Sequence, residues 1–522
     1  MVLRVTILDG YTDEPAGLGV PPYIDVYPRY AAGAIWYHDK QAVIRYFTID
    51  EARSKWAEFY RSASESQLTL IIAGVVVPGK YLGGTPISPR EIINVGLTLA
   101  SLPTKSILAG PAAMFGMGIE GGSVAYHPKD LGKHYDFVVK GDIDVFLHNM
   151  LSLGEEHANP LERRRSYDMT DKFAVLGAKI ATQHPNYRYN LMVELETYRG
   201  CSRWFTGGCS FCVEPLYGKP ISRNPENVLL EIRELYMLGV RGFRFGRQAD
   251  FLVYGANLEK GDEYPKPNVT FMEHFLKHAR QIAPDALIHI DNVNPATIAK
   301  NQEESTKVLQ MTAYYLSPGN VAALGLESAD EKVIRTNNLN TTPEESLLAI
   351  EIINRVGGER GENGLPRLLP GINFVLGLPG ETKETYYKNI EFLEMLKKKK
   401  LMVRRINIRK VLVLPFTKLS LIWNEKILVK HDEYAKWFTW KVRHDYDPFF
   451  LSIVAPKGTI LRNVYVEKTE DNLTYARQMG SYPITIEIPK KIEKPCILDI
   501  RVLRHKGRSV IGEPVTHCSK AG

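Results

Sequence analysis

The sequence predicts an α/β protein with three folded units, which cover residues 1–150, 190–425 and 456–515. In the first two units, short apolar strands alternate with helical stretches, a pattern typical of parallel sheets with helices on their faces. We expect a doubly wound sheet in the first unit and a partial (β/α)6 barrel in the second. In the third unit, strands separated by turns predict a small antiparallel β-barrel.

Length and composition agree with a large globular protein. The 522 residues exceed what one hydrophobic core usually organises, and the apolar content of 44% and charged content of 24% are ordinary for soluble proteins. The longest apolar runs, such as Leu68–Pro78, are too short for a membrane span, and Met1–Gly10 has the pattern of a strand rather than a signal peptide. We therefore expect a cytoplasmic protein without a membrane partner. The net charge of +7 permits a nucleic-acid partner without requiring one.

In residues 1–150, the strand candidates are apolar runs bounded by Gly or Pro: Arg4–Leu8, Leu68–Val77, Ser106–Ala109 and Phe137–Val139. Their alternation with helices indicates a Rossmann-like domain. Residues 151–189 have few apolar residues in register and are interpreted as a linker. The basic run Arg163–Arg165 within it is expected to be a solvated helix end, with phosphate contact as the alternative.

The barrel prediction for residues 190–425 depends on six strand–helix units. The strand candidates are Leu191–Thr197, Gly242–Phe245, Ala286–Ile290, Ala322–Leu326, Gly371–Leu376 and Arg405–Leu414. Amphipathic helices are expected between them, for example Pro225–Leu238, Met272–Ile282, Pro343–Val356 and Thr385–Lys397. Six units leave the barrel open, so a large substrate could enter from the side.

The cysteines carry the strongest chemical signal. Cys201, Cys209 and Cys212 form a C-x7-C-x2-C run, and three thiolates can hold three irons of a [4Fe–4S] cluster while the fourth iron stays open. A zinc site usually takes four ligands, which makes it the weaker alternative. A disulfide framework is not expected, because the chain has five Cys, no signal sequence, and its other two cysteines, Cys496 and Cys518, lie far downstream.

Several short segments occur in a specific order: Arg199–Cys212, then Gly246-Arg247-Gln248, then Ala323–Ser328, then Gly371–Thr382. This ordered set resembles the radical SAM superfamily, and the barrel is most similar to its methylthiotransferase branch. The resemblance implies that Cys201, Cys209 and Cys212 hold the [4Fe–4S] cluster and that S-adenosylmethionine binds its fourth iron. It also implies a set of cofactor contacts at Phe211, Gly246, Arg247, Gln248, Glu327, Ser328 and Gly377.

Two departures from that family pattern matter. The usual cysteine spacing is C-x3-C-x2-C, so the first interval here has four extra residues. Methylthiotransferases also carry three N-terminal cysteines for a second, sulfur-donating cluster, whereas residues 1–200 here contain no Cys. Sulfur insertion by that route is therefore not expected.

Segments of the first unit resemble cobalamin-binding domains. They are Ile107–Pro111, Tyr135–Asp144 and the opening loop Asp9–Tyr23. The Asp-x-His-x-x-Gly motif that supplies an axial imidazole is absent, and many relatives lack it too. Cobalamin binding therefore remains an open alternative to a Rossmann-like domain that covers the barrel or grips the substrate.

The third unit resembles a TRAM domain, an RNA-binding barrel that closes tRNA methylthiotransferases. The resemblance is carried by Val464–Lys468, Tyr475–Gln478 and Arg501–Gly512. It implies an RNA contact at the basic hairpin of Arg504, Lys506 and Arg508, with a solvated turn as the alternative. The aromatic-rich connector at 426–455 is expected to pack between domains, and base stacking is its alternative role.

Together these resemblances imply an enzyme that reductively cleaves S-adenosylmethionine and modifies a base of tRNA or rRNA. An electron donor such as flavodoxin or ferredoxin would supply the electron. The alternative is a cobalamin-linked radical methyltransferase that acts on a protein or a small metabolite. Cofactor chemistry of this kind leaves the protein to bind, orient and exclude solvent.

Overall fold

The computed structural model describes residues 2–11, 22–74, 82, 84–119, 121–258, 261–424 and 426–519. The strands of the first unit are β1 (Arg4–Asp9), β2 (Tyr23–Ile24), β3 (Val43–Thr48), β4 (Leu68–Ile72), β5 (Lys105–Ala109) and β6 (Phe137–Val138). Its helices are α1 (Val26–His38), α2 (Ile49–Ser54), α3 (Trp56–Ser64), α4 (Pro89–Leu99), α5 (Pro111–Phe115), α6 (Pro128–Leu131) and α7 (Ile143–Leu153).

Five of these strands form a parallel sheet in the order β3-β1-β4-β5-β6. This doubly wound arrangement reverses its strand order between β1 and β4, the place where such sheets bind ligands. The β3 strand was not predicted, because exposed Val43 and Arg45 interrupt its apolar pattern. Residues 75–77 of the predicted Leu68–Val77 strand, and most of the Asp9–Tyr23 loop, lie outside the described residues.

The segment interpreted as a linker is partly helical. It contains α8 (Asp168–Gly177), which packs against α1, followed by a 3-10 helix at Ala178–Gln183. The expectation of a solvated run at Arg163–Arg165 is wrong for Arg164, whose side chain is buried. Carboxylates from distant segments draw it inward, as Arg164 pairs with Asp144 at 2.8 Å and with Glu196 at 2.9 Å.

The second unit forms two four-stranded sheets. Its strands are β7 (Met192–Leu195), β8 (Tyr198–Arg199), β9 (Ile221–Ser222), β10 (Gly242–Phe245), β11 (Leu287–Ile290), β12 (Asn292–Val293), β13 (Asn320–Glu327), β14 (Leu368–Leu376) and β15 (Arg405–Lys410). The sheet orders are β11-β10-β7-β2 and β12-β13-β14-β15. Because β11 and β12 are separated only by Asp291, the two sheets continue into each other and give the predicted open six-unit barrel, with β2 added beside β7.

The helices around this barrel are α9 (Pro225–Met237), α10 (Val269–Ile282), α11 (Pro295–Lys300), α12 (Gln302–Tyr315), α13 (Glu331–Asn337), α14 (Pro343–Gly357) and α15 (Lys383–Lys398). After the barrel follow α16 (Lys418–Ile422), α17 (Lys426–Lys441), a π-helical turn at Val442–Tyr446 and α18 (Asp447–Val454). In this connector Phe438 packs edge-on against Phe374 of β14. Most of its aromatic side chains pack as predicted, whereas Trp440 is exposed and stacks on His444.

The third unit is a closed barrel in the order β16-β17-β18-β20-β19. Its strands are β16 (Ile460–Glu470), β17 (Leu473–Gln478), β18 (Thr485–Ile488), β19 (Ile497–Lys506) and β20 (Ser509–Pro514). The loop between β17 and β18 inserts buried Tyr482 toward the second unit, where its hydroxyl donates to Asp291. Cys496 and Cys518 form a disulfide, although no disulfide was expected from the sequence. The sequence alone did not show that the C-terminal segment returns to pair beside β19, as Ser519 does with Ile497.

Candidate active site

The three cysteines of the C-x7-C-x2-C run line one cavity. Their loop leaves β8 and returns to β9, and these two short strands pair antiparallel and hold its ends together. Because β8 follows β7 directly, the loop lies at the carboxyl ends of the barrel strands, where barrel enzymes place their active sites. Gly207 and Gly208 have positive φ angles of 79° and 56°, which lets the long interval turn back tightly.

The three cysteines are partly buried, and burial disfavours the ionised form of their thiols. Burial raises the pKa of Cys201 to about 11 and that of Cys209 to about 12, and it raises the pKa of Cys212 well above its usual value. Among the described residues, no three His, Cys, Asp or Glu side chains are arranged to ligate a single ion. A cubane cluster makes a different demand, because each ligated iron takes its own thiolate. The three-thiolate donor set fits such a cluster.

Glu327 lines the same cavity. It ends β13 with a φ of 58°, next to a register irregularity between Gly325 and Glu327. A Cβ on Gly325 would lie 2.6 Å from Glu327 Oε1, so the glycine leaves room for the carboxyl group. Burial raises the pKa of Glu327 to about 8, and the nearby Arg203 opposes that shift. Within the described part of the chain, Glu327 Oε2 is buried without a hydrogen-bond partner.

The remaining wall is polar and comes from several strand ends. Asn407 of β15 donates to Asn373 Oδ1 of β14 at 3.2 Å, and Arg409 follows two residues later on the same face. Burial raises the pKa of Asp250 to about 6, and Thr297 donates to its carboxylate at 2.7 Å. Such convergent polar groups are able to orient a small polar ligand.

The structure brings only part of the predicted set into this cavity. Phe211 and Glu327 line it together with the cysteines, whereas the cavity lining contains none of Gly246, Arg247, Gln248, Ser328 and Gly377. Arg247 points to the first unit instead, where its Nη2 donates to the Tyr27 hydroxyl at 2.9 Å.

The other predicted contacts serve local structure. Buried Gln248 accepts from Thr197 at 3.2 Å, and Ser328 Oγ accepts from the Asp330 amide at 3.2 Å. The Gly377 amide donates to Glu381 Oε1 at 2.9 Å, which closes the turn before α15. A cofactor role for these residues stays a prediction.

The basic hairpin lies on the third unit. Arg504, Lys506 and Arg508 are exposed around the β19–β20 turn, and none of them lines the cysteine cavity. Lys506 Nζ forms an ion pair with Glu487 at 2.8 Å, so its charge is partly compensated.

Sequence reasoning missed Arg203, Asn373, Asn407 and Arg409 in the cavity. The alternation of Arg405, Asn407 and Arg409 along β15 was a usable signal, because alternate residues of a strand share a face. Arg203 offered no such signal, since its position depends on how the cysteine loop folds.

Comparison with known proteins finds relatives that match all or part of the chain. No protein-family model matches the chain. An uncharacterized protein of Methanocaldococcus jannaschii is 43% identical over all of this chain and 95% of its own length. The ribosomal protein uS12 methylthiotransferase RimO of Thermodesulfovibrio yellowstonii is 25% identical over 44% of this chain and 47% of its own. A tRNA-2-methylthio-N(6)-dimethylallyladenosine synthase of Christiangramia forsetii is 25% identical over 38% of this chain and 39% of its own.

A solved structure supports the fold. The cobalamin-dependent S-adenosylmethionine radical enzyme OxsB, in its apo form, matches 84% of this chain and 56% of its own with a TM-score of 0.51 at 11% identity. No helix among the described residues is both long and apolar enough to cross a membrane. The fold resembles that of this solved radical enzyme, and the partial sequence matches to a methylthiotransferase and a methylthio-adenosine synthase support an enzyme of the radical SAM superfamily.

Proposed function

We propose that this enzyme reductively cleaves S-adenosylmethionine at a [4Fe–4S] cluster held by Cys201, Cys209 and Cys212, and that it modifies a base of tRNA or rRNA. The observation that carries the proposal is one cavity, at the carboxyl ends of the barrel strands, that contains the three thiols and Glu327, whose Oε2 has no hydrogen-bond partner among the described residues. When bound, the cluster supplies one electron to the sulfonium of S-adenosylmethionine, which yields methionine and a hydrogen-abstracting 5′-deoxyadenosyl radical.

Residues of the chain itself bind and orient the cofactor and keep water out of the cavity. Phe211 packs with an apolar cluster that includes Leu378 and Val413, so this side of the cavity excludes water. With a pKa near 8, Glu327 carries its proton at neutral pH and is able to donate a hydrogen bond to the bound cofactor. Asn373, Asn407 and Arg409 offer further polar contacts from β14 and β15.

The RNA substrate is supported by three observations of different kinds. One relative is a tRNA-modifying synthase by name. The third unit is a small closed barrel with an exposed basic hairpin at its β19–β20 turn. The catalytic barrel is open, because six strands do not close it. The product is proposed to be a carbon-centred modification rather than a thiolation, since residues 1–200 lack cysteines for a second cluster.

A comparison of tRNA and rRNA nucleosides by mass spectrometry tests this function. A strain that lacks the gene should lose one modified nucleoside, and the wild-type gene should restore it. A gene that encodes Cys209→Ala should not restore it. Identical nucleoside profiles in all four strains would contradict an RNA substrate.

A cobalamin-linked methyltransferase is the second candidate, and the first unit favours it. The strand order β3-β1-β4-β5-β6 places a ligand-binding switch point between β1 and β4. Asp9 ends β1 there, with its pKa raised by burial to about 7 and with the Tyr46 hydroxyl donating to it at 2.7 Å. Cobalamin absorbance on protein purified from cobalamin-fed cells would favour this candidate, and a protein that stays colourless after cobalamin addition and gel filtration would count against it.

A further inference from the structure

The long first interval of the cysteine run contains a buried cation. Arg203 follows Cys201 by two residues, within the interval that is four residues longer than the usual pattern. It is only 3% exposed, although it lies in a loop. A buried guanidinium in a surface loop requires partners, because its desolvation costs free energy that contacts must offset.

One of those partners is a cluster cysteine, and the backbone of Arg203 contacts a second one. The Arg203 backbone amide donates to Cys201 Sγ at 3.4 Å, and its Nη1 donates to Cys209 Sγ at 3.6 Å. One residue therefore contacts two of the three sulfurs that would ligate iron. The Arg203 amide and Nη1 still donate to the two sulfurs when the thiols become thiolates. Each hydrogen bond is then stronger, because its acceptor is ionised.

The guanidinium is held in place by Asn338, the residue that follows α13. Nη1 donates to the Asn338 carbonyl at 3.1 Å, and Nη2 donates to Asn338 Oδ1 at 3.0 Å. Asn338 has a φ of 48°, and its Nδ2 donates to the Gly208 carbonyl at 2.9 Å. Asn338 thus connects Arg203 and Gly208, which both lie in the cysteine loop, to the end of α13. Glu263, at 3.5 Å from Nε, is partly exposed.

The charged groups around the thiols determine how readily the cavity accommodates negative charge on the cluster. The cavity that holds the thiols is also lined by the acidic side chains of Glu214, Asp250 and Glu327. Arg203 brings a positive charge into hydrogen-bond contact with Cys209 Sγ. A hydrogen-bonded cation beside ligand sulfurs stabilises the more negative form of an iron–sulfur cluster, since charge and sulfur hydrogen bonds set its potential.

We propose that Arg203 is a positioning residue that raises the reduction potential of the cluster, so that a biological donor is able to reduce it. The reduction takes one electron from a low-potential flavin or iron–sulfur protein, and the cluster charge changes from 2+ to 1+ without bond cleavage or proton transfer. The inference rests on the cluster part of the proposed function and is independent of the RNA substrate.

The test is a redox titration of the reconstituted protein, followed by electron paramagnetic resonance of the reduced cluster. Arg203→Gln should keep its iron content and shift the midpoint potential to more negative values. Arg203→Lys keeps the charge but not the planar fork, so its shift should be smaller and in the same direction. Arg335→Gln is the matched control, because it removes one charge from a side chain that is 75% exposed, and its potential should equal that of the wild type.

A second variant covers the case in which Arg203→Gln loses its cluster. Asn338→Gly keeps a backbone that tolerates the positive φ but removes the Oδ1 acceptor, and it should also shift the potential negatively. Wild-type potentials in an iron-replete Arg203→Gln protein, or in Asn338→Gly if the first variant holds no iron, would overturn the inference. A wild-type protein that holds no cluster at all would instead contradict the proposed function.

Discussion

Each of the three cavity cysteines is expected to be necessary for iron binding. Cys201→Ala, Cys209→Ala or Cys212→Ala should each abolish the brown iron–sulfur absorbance, because loss of one of three thiolates leaves a corner iron without a protein ligand. Iron content and visible absorbance after anaerobic reconstitution check this. Cys496→Ala is the control, since Cys496 pairs with Cys518 in the third unit and should keep full iron. Loss of iron in the control would show that the single-cluster assignment is wrong.

Glu327 gives the sharpest prediction about cofactor binding. Glu327→Ala should retain the cluster but bind S-adenosylmethionine about 10-fold to 100-fold more weakly, the usual cost of one lost charge-assisted hydrogen bond. Equilibrium dialysis with labelled cofactor measures this affinity. Glu331→Ala, four residues later and 78% exposed, should bind as the wild type does. Equal affinities in the two variants would remove Glu327 from the cofactor site.

At the scale of elements, the sequence predicted strands well where burial is complete. The β10 prediction at Gly242–Phe245 is confirmed residue for residue: all four residues are buried and glycines bound the strand on both sides, although Arg244 interrupts its apolar run. β17 was not predicted as a strand, since its buried positions are Thr474, Ala476, Arg477 and Gln478, polar or small residues that give no apolar pattern. The burial of Arg164 could not be predicted either, because its carboxylate partners are 20 to 32 residues away in the chain.

Within the candidate site, too, contacts between distant segments of the chain could not be predicted from the sequence. Cys201, Cys209, Cys212 and Glu327 were identified from ordered segments, and the structure brings them to one cavity. Arg247 was assigned to the cofactor by the family resemblance of its Gly-Arg-Gln segment, yet it faces Tyr27. Its direction depends on Tyr27 and Asp25 of the first unit, long-range contacts that local sequence does not encode.

The β19–β20 hairpin carries the prediction about RNA. Neutralising Arg504, Lys506 and Arg508 together should weaken RNA binding across sequences and lower its salt slope by about two to three units. The slope falls because binding with fewer phosphate contacts releases fewer counterions. Filter binding at several salt concentrations measures both quantities. S-adenosylmethionine cleavage without RNA should persist, since the hairpin does not line the cysteine cavity. Unchanged RNA affinity and slope would exclude the hairpin as the contact.

At the scale of the whole molecule, buried ion pairs join the first unit to the barrel. Arg29 of α1 is fully buried, pairs with Glu231 of α9 and donates to the Glu194 carbonyl of β7. Arg29→Ala should lower the free energy of unfolding by about 3–5 kcal/mol, because it leaves a buried carboxylate with one cation fewer. Urea unfolding followed by fluorescence measures the loss. Arg45→Ala, which removes a half-exposed ion pair with Glu58, should cost about 0–1 kcal/mol. Equal losses would show that this contact does not stabilise the junction.

The central claim is that this cavity performs reductive cleavage of S-adenosylmethionine, and its products test it most directly. The anaerobically reconstituted wild-type protein, reduced with dithionite and given S-adenosylmethionine, should form 5′-deoxyadenosine and methionine in equal amounts, measured by liquid chromatography with mass spectrometry. Cys212→Ala should form neither, while Cys496→Ala should match the wild type. A wild-type protein with a full cluster that forms no 5′-deoxyadenosine, or a Cys212→Ala protein that forms as much as the wild type, would contradict the account.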